Sequence, residues 1–220
     1  MLRDCPFSTQ ICCERDYMIL YNPFTQLQAS QKIHIPPLTD SYTYGFGYGT
    51  TPDDLKVVRL RDCSEYPGSC EVFSLKTRSW SIPLQPIHRY TYYDDASTTF
   101  VNGFLYWKAY KQGYGNLIVA FDVKDMLFSD TQIPSECRSK SCTLGSSSRG
   151  CLSLVCSDSA HATCELWVMN KSWSKKYSLP LLQRGNYLYG FNTLCTLDDR
   201  KIVMLKKPNR LIIYDMVKGS

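Results

Sequence analysis

Hydrophobic and polar residues alternate along most of the chain in short runs, which is the pattern of half-buried β-strands. The clearest case is Tyr42–Tyr48, where aromatic residues alternate with Gly45 and Gly47. Such a strand presents aromatic side chains on one face and glycines on the other, so a neighbouring layer can approach the glycine face closely. Turn residues at 50–54 and a β-branched run at 55–60 follow, so the segment predicts a β-hairpin.

This hairpin belongs to a repeat that two sets of turns measure independently. Turns after the first strand of each unit lie at Asn22, Ser74, Asp122, Asn170 and Asp215, with gaps of 52, 48, 48 and 45 residues. Turns of the second hairpin lie at Asp53, Asn102, Ser147 and Asp199, with gaps of 49, 45 and 52 residues. A period near 40–50 residues with four strands is typical of β-propeller blades. The alternative, a two-sheet sandwich, has frequent turns but lacks this period.

The predicted fold is therefore all-β, a propeller of four-stranded antiparallel blades. We expect residues 1–16 to form a lead-in and residues 17–220 a single propeller domain with about four blades and one further strand. Because blades need a closing partner, we expect this propeller to be incomplete and the chain to be truncated.

Composition narrows the class of protein. The chain has 220 residues, 44% of them hydrophobic and 20% charged, which is typical of a soluble globular protein. The net charge of +5 comes from scattered basic residues rather than a stripe, so we expect no nucleic-acid partner. No apolar run is long enough to span a membrane, and no signal peptide is recognisable, so we expect no membrane association and a cytoplasmic or nuclear location.

The eleven cysteines predict buried thiols rather than disulfides, since most lie inside apolar runs and their number is odd. Only two pairs, Cys137 with Cys142 and His161 with Cys164, have a spacing that suggests metal ligands. The chain contains no C-x-x-C motif. We therefore expect no metal and no cofactor.

Nothing in the sequence predicts catalysis. His34, His88 and His161 have no nucleophile or carboxylate at a motif spacing, and no phosphate-binding or hydrolase motif is present. Paired aspartates fall in predicted turns, where they form the turn rather than an acid–base pair. The tryptophans recur on predicted strands, as expected of residues packed between blades. They lie at Trp80, Trp107, Trp167 and Trp173.

Two long predicted loops are the candidate binding segments, since propellers carry function on loops. They cover residues 61–68 and 87–94, and they contain tyrosine and arginine, which are enriched at interface hot spots. We expect these side chains to contact a protein partner; the alternative is that the tyrosines seal the edge of a blade. The candidate residues are Arg61, Tyr66, Arg89, Tyr90, Tyr92 and Tyr93.

Several segments, in order, resemble the F-box-associated domain of plant F-box proteins. They carry the sequences YNPFT, YGFGY, DDLKVV, EVFSLKTRSW, FVNGFLYW, IVAFD and ELWVM with a following SW. They begin at residues 21, 44, 53, 71, 100, 118 and 165. The family includes the S-locus F-box relatives.

This resemblance implies a kelch-like propeller that recruits a target protein to a Skp–cullin–F-box ubiquitin ligase. The chain shows no F-box before residue 17, so binding to the Skp–cullin complex is expected only if an F-box lies upstream. Two alternatives stay open. One is a truncated or decoy propeller that recruits nothing, and the other is a kelch-like propeller that binds sugars or is catalytic.

Overall fold

The computed structural model describes residues 17–20, 31–35, 42–49, 51–61, 69–84, 90–92, 98–147, 149–158, 163–180, 191–198, 201–206, 210–215 and 217. The chain divides into two compact units, Met1–Ser41 and Tyr42–Ser220. The single domain from residue 17 onward stays a prediction.

The described residues of the first unit form an antiparallel pair of strands, β1 (Tyr17–Leu20) and β2 (Gln31–His34). Met18 lies opposite Ile33 across the pair, and both side chains are buried. The pairing matches the predicted return of a strand after the turn at Asn22, which itself lies outside the described residues.

Across the described residues of the second unit there are four antiparallel sheets, which we name blades 1 to 4. Blade 1 comprises β3 (Tyr42–Tyr48), β4 (Leu55–Arg61), β5 (Cys70–Ser74) and β6 (Ser79–Ser81). Blade 2 comprises β7 (Thr91–Tyr92), β8 (Thr99–Val101), β9 (Phe104–Lys111), β10 (Gly115–Asp122) and β11 (Leu127–Gln132). Blade 3 comprises β12 (Ser141–Ser146), β13 (Leu152–Asp158), β14 (Thr163–Met169) and β15 (Trp173–Pro180). Blade 4 comprises β16 (Phe191–Asp198), β17 (Lys201–Lys206) and β18 (Arg210–Asp215).

The blades follow one another as in a propeller. Within each blade the long strands pair with their sequence neighbours, and one strand of each blade contacts one of the next in the series β3, β8, β12 and β16. The predicted propeller fold is confirmed. The starting point of each repeat differs from the prediction. Each sheet begins at the hairpin that the sequence analysis placed second in the repeat. The short strand β7 was not predicted, and it pairs with β9 beside β8.

Close packing between blades 1 and 2 depends on the two glycines of β3. A Cβ atom on Gly45 would lie 2.6 Å from Cζ2 of Trp107, and one on Gly47 would lie 2.7 Å from the ring of Phe100. The predicted close approach to the glycine face is thus confirmed. Trp107 can occupy the blade 2 core, where it is fully buried, because β3 offers no side chain at this point.

The tight turns of blades 1 to 3 lie together at one edge of the unit, which we name the tight-turn rim. Asn102 and Gly103 have φ angles of +49° and +84°, which confirms the predicted hairpin turn. The Gly103 carbonyl accepts a hydrogen bond from the Val123 amide at 3.0 Å, and the Val123 carbonyl accepts one from Nζ of Lys56 at 2.7 Å. These bonds join turns from blades 1 and 2.

Candidate interaction surface

The edge opposite the tight-turn rim is the loop rim, defined here by residues 82–84, 112–114 and 133–140. Strands β3 and β8 run in the same direction, since the Thr98 hydroxyl bonds to the Tyr44 carbonyl and Phe100 lies against Gly47. Strands β6, β9 and β11 run away from the tight turns, so the segments that follow them emerge at the loop rim. Longer connections at one edge of a rigid sheet are a common place for binding residues.

Large apolar and aromatic side chains are exposed on or next to this rim. Ile82 and Leu84 follow β6 and are 71% and 102% exposed, while Tyr110 and Tyr114 flank the β9–β10 turn and are 44% and 66% exposed. Among the other exposed large hydrophobic residues of the described part, Leu127 lies beside the tight turn 123–126, while Leu211, Ile213 and Val217 lie on or after β18 of blade 4. Tyrosine with exposed aliphatic neighbours is the composition that favours a protein interface.

A polar cluster lies next to Tyr114 on the loop rim. The Tyr90 hydroxyl donates a hydrogen bond to Oδ2 of Asp130 at 2.7 Å, and Nζ of Lys111 lies 3.1 Å from the same oxygen. The Lys111 ammonium also lies 4.8 Å from the ring centroid of Tyr114 and 5.5 Å from that of Tyr90. Burial, together with the Asp130 carboxylate, raises the pKa of Tyr90 above its ordinary value. The cluster therefore holds the exposed Tyr114 ring against a fixed cation.

Three of the six residues predicted to bind a partner lie in the described part of the chain. Tyr90 and Tyr92 are 3% and 5% exposed and pack in the core of blades 1 and 2. Tyr92 belongs to β7, which pairs with β9, and Tyr90 directly precedes β7. This placement favours the alternative interpretation at these two positions, in which the tyrosines seal a blade. Arg61 is half-buried at the end of β4. Tyr66, Arg89 and Tyr93 lie outside the described residues.

The sequence analysis did not identify Ile82, Leu84, Tyr110 and Tyr114. A signal for the last two was present, since two tyrosines flank the Gly113 turn between predicted strands. Ile82 and Leu84 flank Pro83, which is buried, and this separation turns both neighbours outward. Because the sequence does not show where β6 ends, nothing in it distinguishes Ile82 and Leu84 from ordinary core residues.

Of the three histidines considered for catalysis, one lies in the described part of the chain. His34 is exposed in the first unit, while His88 and His161 lie outside the described residues. Trp107 and Trp167 are buried core residues, and Trp80 and Trp173 are half-buried. No helix in the described part of the chain has the length and apolar character needed to cross a membrane.

A cluster of three cysteines lies where the loop rim meets blade 3. The sulfur atoms of Cys137, Cys142 and Cys156 all lie within 4.8 Å of one another, and all three residues are buried. Hydrogen bonds with the other two thiols lower the pKa of Cys142 to about 4, with help from the charges of Lys108 and Lys140. The sequence suggested only the first two residues as a pair. His161, in the other suggested pair, lies outside the described residues.

Comparison with known proteins gives a consistent result for the whole chain. Residues 5–219 match the family described as F-box associated beta propeller domain. The F-box/kelch-repeat protein At3g23880 of Arabidopsis thaliana is 30% identical over 95% of this chain and 59% of its own length. The F-box protein At4g22390 of the same plant is 26% identical over 92% of this chain and 58% of its own length. The chain thus spans less than two thirds of these relatives.

Solved structures show the same type of fold at low sequence identity. TolB from Acinetobacter baumannii has a TM-score of 0.58 at 9% identity, covering 97% of this chain and 50% of that protein. An oligogalacturonate lyase in complex with manganese has a TM-score of 0.54 at 12% identity, covering 95% of this chain and 59% of that protein. At these identities the likeness concerns the fold alone. Together with the family match over nearly its full length, the sheet arrangement shows that the chain belongs to the F-box associated β-propeller domain family.

Proposed function

We propose that this chain is the substrate-recognition part of a Skp–cullin–F-box ubiquitin ligase adaptor and binds a target protein through its loop rim. Family membership and F-box protein relatives support a role in protein interaction. The observation that carries the choice of surface is the exposure of Ile82, Leu84, Tyr110 and Tyr114 on or next to one edge of the second unit.

The physical argument rests on rigid presentation. Tyr110 pairs with Asn116 one residue before the end of β9, and the Tyr114 amide donates a hydrogen bond to the Lys111 carbonyl at 3.0 Å, so the turn between the two tyrosines is closed. Burying an exposed aromatic ring removes a large apolar area from water, and a ring that is already positioned loses little conformational freedom on binding. Tyr114 therefore suits a partner that offers an apolar surface.

We further propose that the chain carries out no reaction itself. Transfer of ubiquitin would belong to the other subunits, and docking to Skp would require an F-box elsewhere in the full-length protein. The relatives extend well beyond the part that this chain covers, which leaves room for such a segment. The place of action would be the cytoplasm or the nucleus.

The test compares protein half-lives in cells with and without the full-length protein. Proteins whose proteasome-dependent half-life lengthens on its loss are candidate targets, and each is then tested in a ubiquitination reaction reconstituted from purified subunits. We expect a double variant, Leu84→Asp with Tyr114→Asp, to abolish target ubiquitination while leaving Skp binding unchanged.

The matched control is Leu127→Asp, which introduces the same charge at a 53% exposed leucine beside the tight turn 123–126, away from the loop rim. We expect this variant to ubiquitinate the target as the wild type does. If no protein has a half-life that depends on the full-length protein, the recruiting function is wrong. If the double variant ubiquitinates the target normally, the loop rim is the wrong surface.

A further inference from the structure

We propose that Cys137, Cys142 and Cys156 form a binding site for a thiophilic d10 metal ion, with three thiolates as ligands and Cu(I) as the best match. The three residues come from two different parts of the fold. Cys137 ends the 3-10 helix Ser135–Cys137 after β11, while Cys142 and Cys156 are directly opposite partners on β12 and β13. A bound ion would therefore fasten the connection between blades 2 and 3 to the sheet of blade 3.

The spacing of the sulfur atoms fits a shared ligand. Sγ of Cys142 lies 2.9 Å from Sγ of Cys156, and all three sulfurs lie within 4.8 Å of one another. Two metal–sulfur bonds of about 2.3 Å place their sulfurs roughly 3.8–4 Å apart in tetrahedral or trigonal geometry. An ion at the centre of the cluster needs only a small opening of the closest pair.

Backbone hydrogen bonding closes the local chain around the cluster. The Lys140 amide donates to the Cys137 carbonyl at 3.0 Å, and Sγ of Cys142 lies 3.4 Å from the same carbonyl. This bond closes a short loop between Cys137 and Cys142. Residues 138, 139 and 141 of that loop are exposed, so the cysteines are buried directly beneath a surface segment through which an ion could enter.

Electrostatics near the cluster also suit an anionic thiolate–metal centre. Nζ of Lys108 lies 2.5 Å from the Cys142 carbonyl, and Nζ of Lys140 lies 2.8 Å from the Glu165 carboxylate on the strand next to Cys156. Three thiolates with Cu(I) carry two negative charges, and a buried charge requires nearby compensation. Lys140 and Lys175 share the Glu165 carboxylate, at 2.8 and 2.9 Å, so together with Lys108 these side chains carry a net charge of +2, from three lysines and one glutamate.

The number of ligands decides which ion fits best. Soft thiolate ligands select Cu(I), zinc and iron–sulfur clusters. Structural zinc sites have four protein ligands in a tetrahedron, and only three ligand groups converge here among the residues that the structure describes. Cu(I) is satisfied by three sulfurs, so it takes precedence over Zn(II). A disulfide between Cys142 and Cys156 would leave Cys137 without a role, which makes it the less favoured use of the cluster.

The experiment uses the whole chain, purified under reducing, oxygen-free conditions. Cu(I) and Zn(II) are supplied separately against a chromophoric chelator, and bound metal is measured after gel filtration. A triple variant with serine at the three positions sets the background from the other cysteines. We expect one extra equivalent of Cu(I) in the wild type, X-ray absorption showing three sulfur neighbours, and an increase in melting temperature that the triple variant lacks.

Substituting a residue that only contacts a metal ligand weakens metal binding roughly 10–100-fold. Single serine variants at the three positions remove a ligand itself, so we expect each to weaken Cu(I) binding by more than this. The control is Cys164→Ser, a buried cysteine on β14 that lies outside the cluster and should bind as the wild type does. Extra Zn(II) in place of Cu(I) would retain the site and overturn the choice of ion. Equal metal in the wild type and the triple variant, or an equal loss in Cys164→Ser, would overturn the proposal.

Discussion

The side-chain amide of Asn102 donates a hydrogen bond to the Gly150 carbonyl at 2.6 Å and thereby joins the tight turns of blades 2 and 3. Both residues have positive φ angles, +49° for Asn102 and +70° for Gly150, so both turns have the conformation that brings these groups together. One residue thus serves two purposes, since asparagine tolerates the left-handed conformation and also carries the donor.

Replacing Asn102 with Asp should separate these purposes. Aspartate tolerates the same φ angle but cannot donate, and its carboxylate would face the Gly150 carbonyl. We expect the free energy of unfolding to fall by about 1 kcal/mol, the typical net value of one hydrogen bond, measured by urea denaturation. The Asn102→Gly variant keeps the turn and also loses the donor, so it should be destabilised as well. Unchanged stability in both variants would show that the bond between the blades contributes nothing.

Gly45 should be intolerant of even one added methyl group. Its Cβ would meet Trp107 at 2.6 Å, Thr98 at 3.0 Å and Leu105 at 3.1 Å, and the two larger neighbours are held in the blade 2 core. We expect Gly45→Ala to lower the free energy of unfolding by about 1–3 kcal/mol, as overpacking of a filled core does.

The matched control is Gly145→Ala on β12, the first strand of blade 3. There the added Cβ would meet only the Ser153 hydroxyl oxygen at 3.2 Å, a group that can rotate away. We expect a change well below that of Gly45→Ala. Equal losses in the two variants would mean that the cost comes from glycine substitution in general rather than from contact with Trp107.

The alternating pattern predicted most of the strands because a blade buries one face of each strand against its neighbour. The glycines of β3 were informative for the same reason, since only a close approach explains two of them on one face. The strand β7 was missed because Thr91–Tyr92 is two residues long and shows no periodicity. Its position depends on pairing with β9, where Ala109 is 17 residues (109 − 92) after its partner Tyr92.

The cysteine cluster shows why part of a site cannot be found from spacing alone. The turn between β12 and β13 was predicted to centre near Ser147, which would place Cys142 opposite residue 152. The observed hydrogen bond from the Ser147 amide to the Cys151 carbonyl moves the centre to residue 149, so Cys142 pairs with Cys156 instead. A shift of the turn by two residues therefore decides whether two sulfurs meet.

Arg59 is the largest buried charged side chain described in blade 1, with 2% of its side chain exposed. It forms an ion pair with Glu71, its direct partner on β5, and its guanidinium lies 4.8 Å from the ring centroid of Tyr42 and 4.9 Å from that of Trp80. We expect Arg59→Met to lower the free energy of unfolding by about 1–3 kcal/mol through loss of the ring contacts and of the partner of Glu71.

A double-mutant cycle separates these two causes. If the ion pair matters, Arg59→Met with Glu71→Gln should be more stable than the sum of the two single changes predicts, with a coupling of roughly 1–2 kcal/mol. The exposed pair of Lys76 and Asp53, 3.4 Å apart, offers the matched cycle and should show no resolvable coupling. Absence of coupling between Arg59 and Glu71 would assign the whole loss to the aromatic contacts.

Tyr90 should make stability depend on pH in the alkaline range. Burial and the Asp130 carboxylate 2.7 Å away raise the pKa of this phenol, whereas in the unfolded chain it titrates near its usual value of about 10. Above that pH the unfolded chain has released a proton that the folded protein still holds. The stability that Tyr90 contributes is therefore complete below about pH 10 and declines as the pH rises, by up to about 1.4 kcal/mol per pH unit.

The free energy of unfolding, measured by urea denaturation between pH 9 and 11.5, tests this assignment. We expect Tyr90→Phe to remove the decline that Tyr90 causes. Asp130→Asn should only reduce that decline, because the burial of Tyr90 remains. A Tyr90→Phe curve parallel to that of the wild type across this range would contradict the assignment.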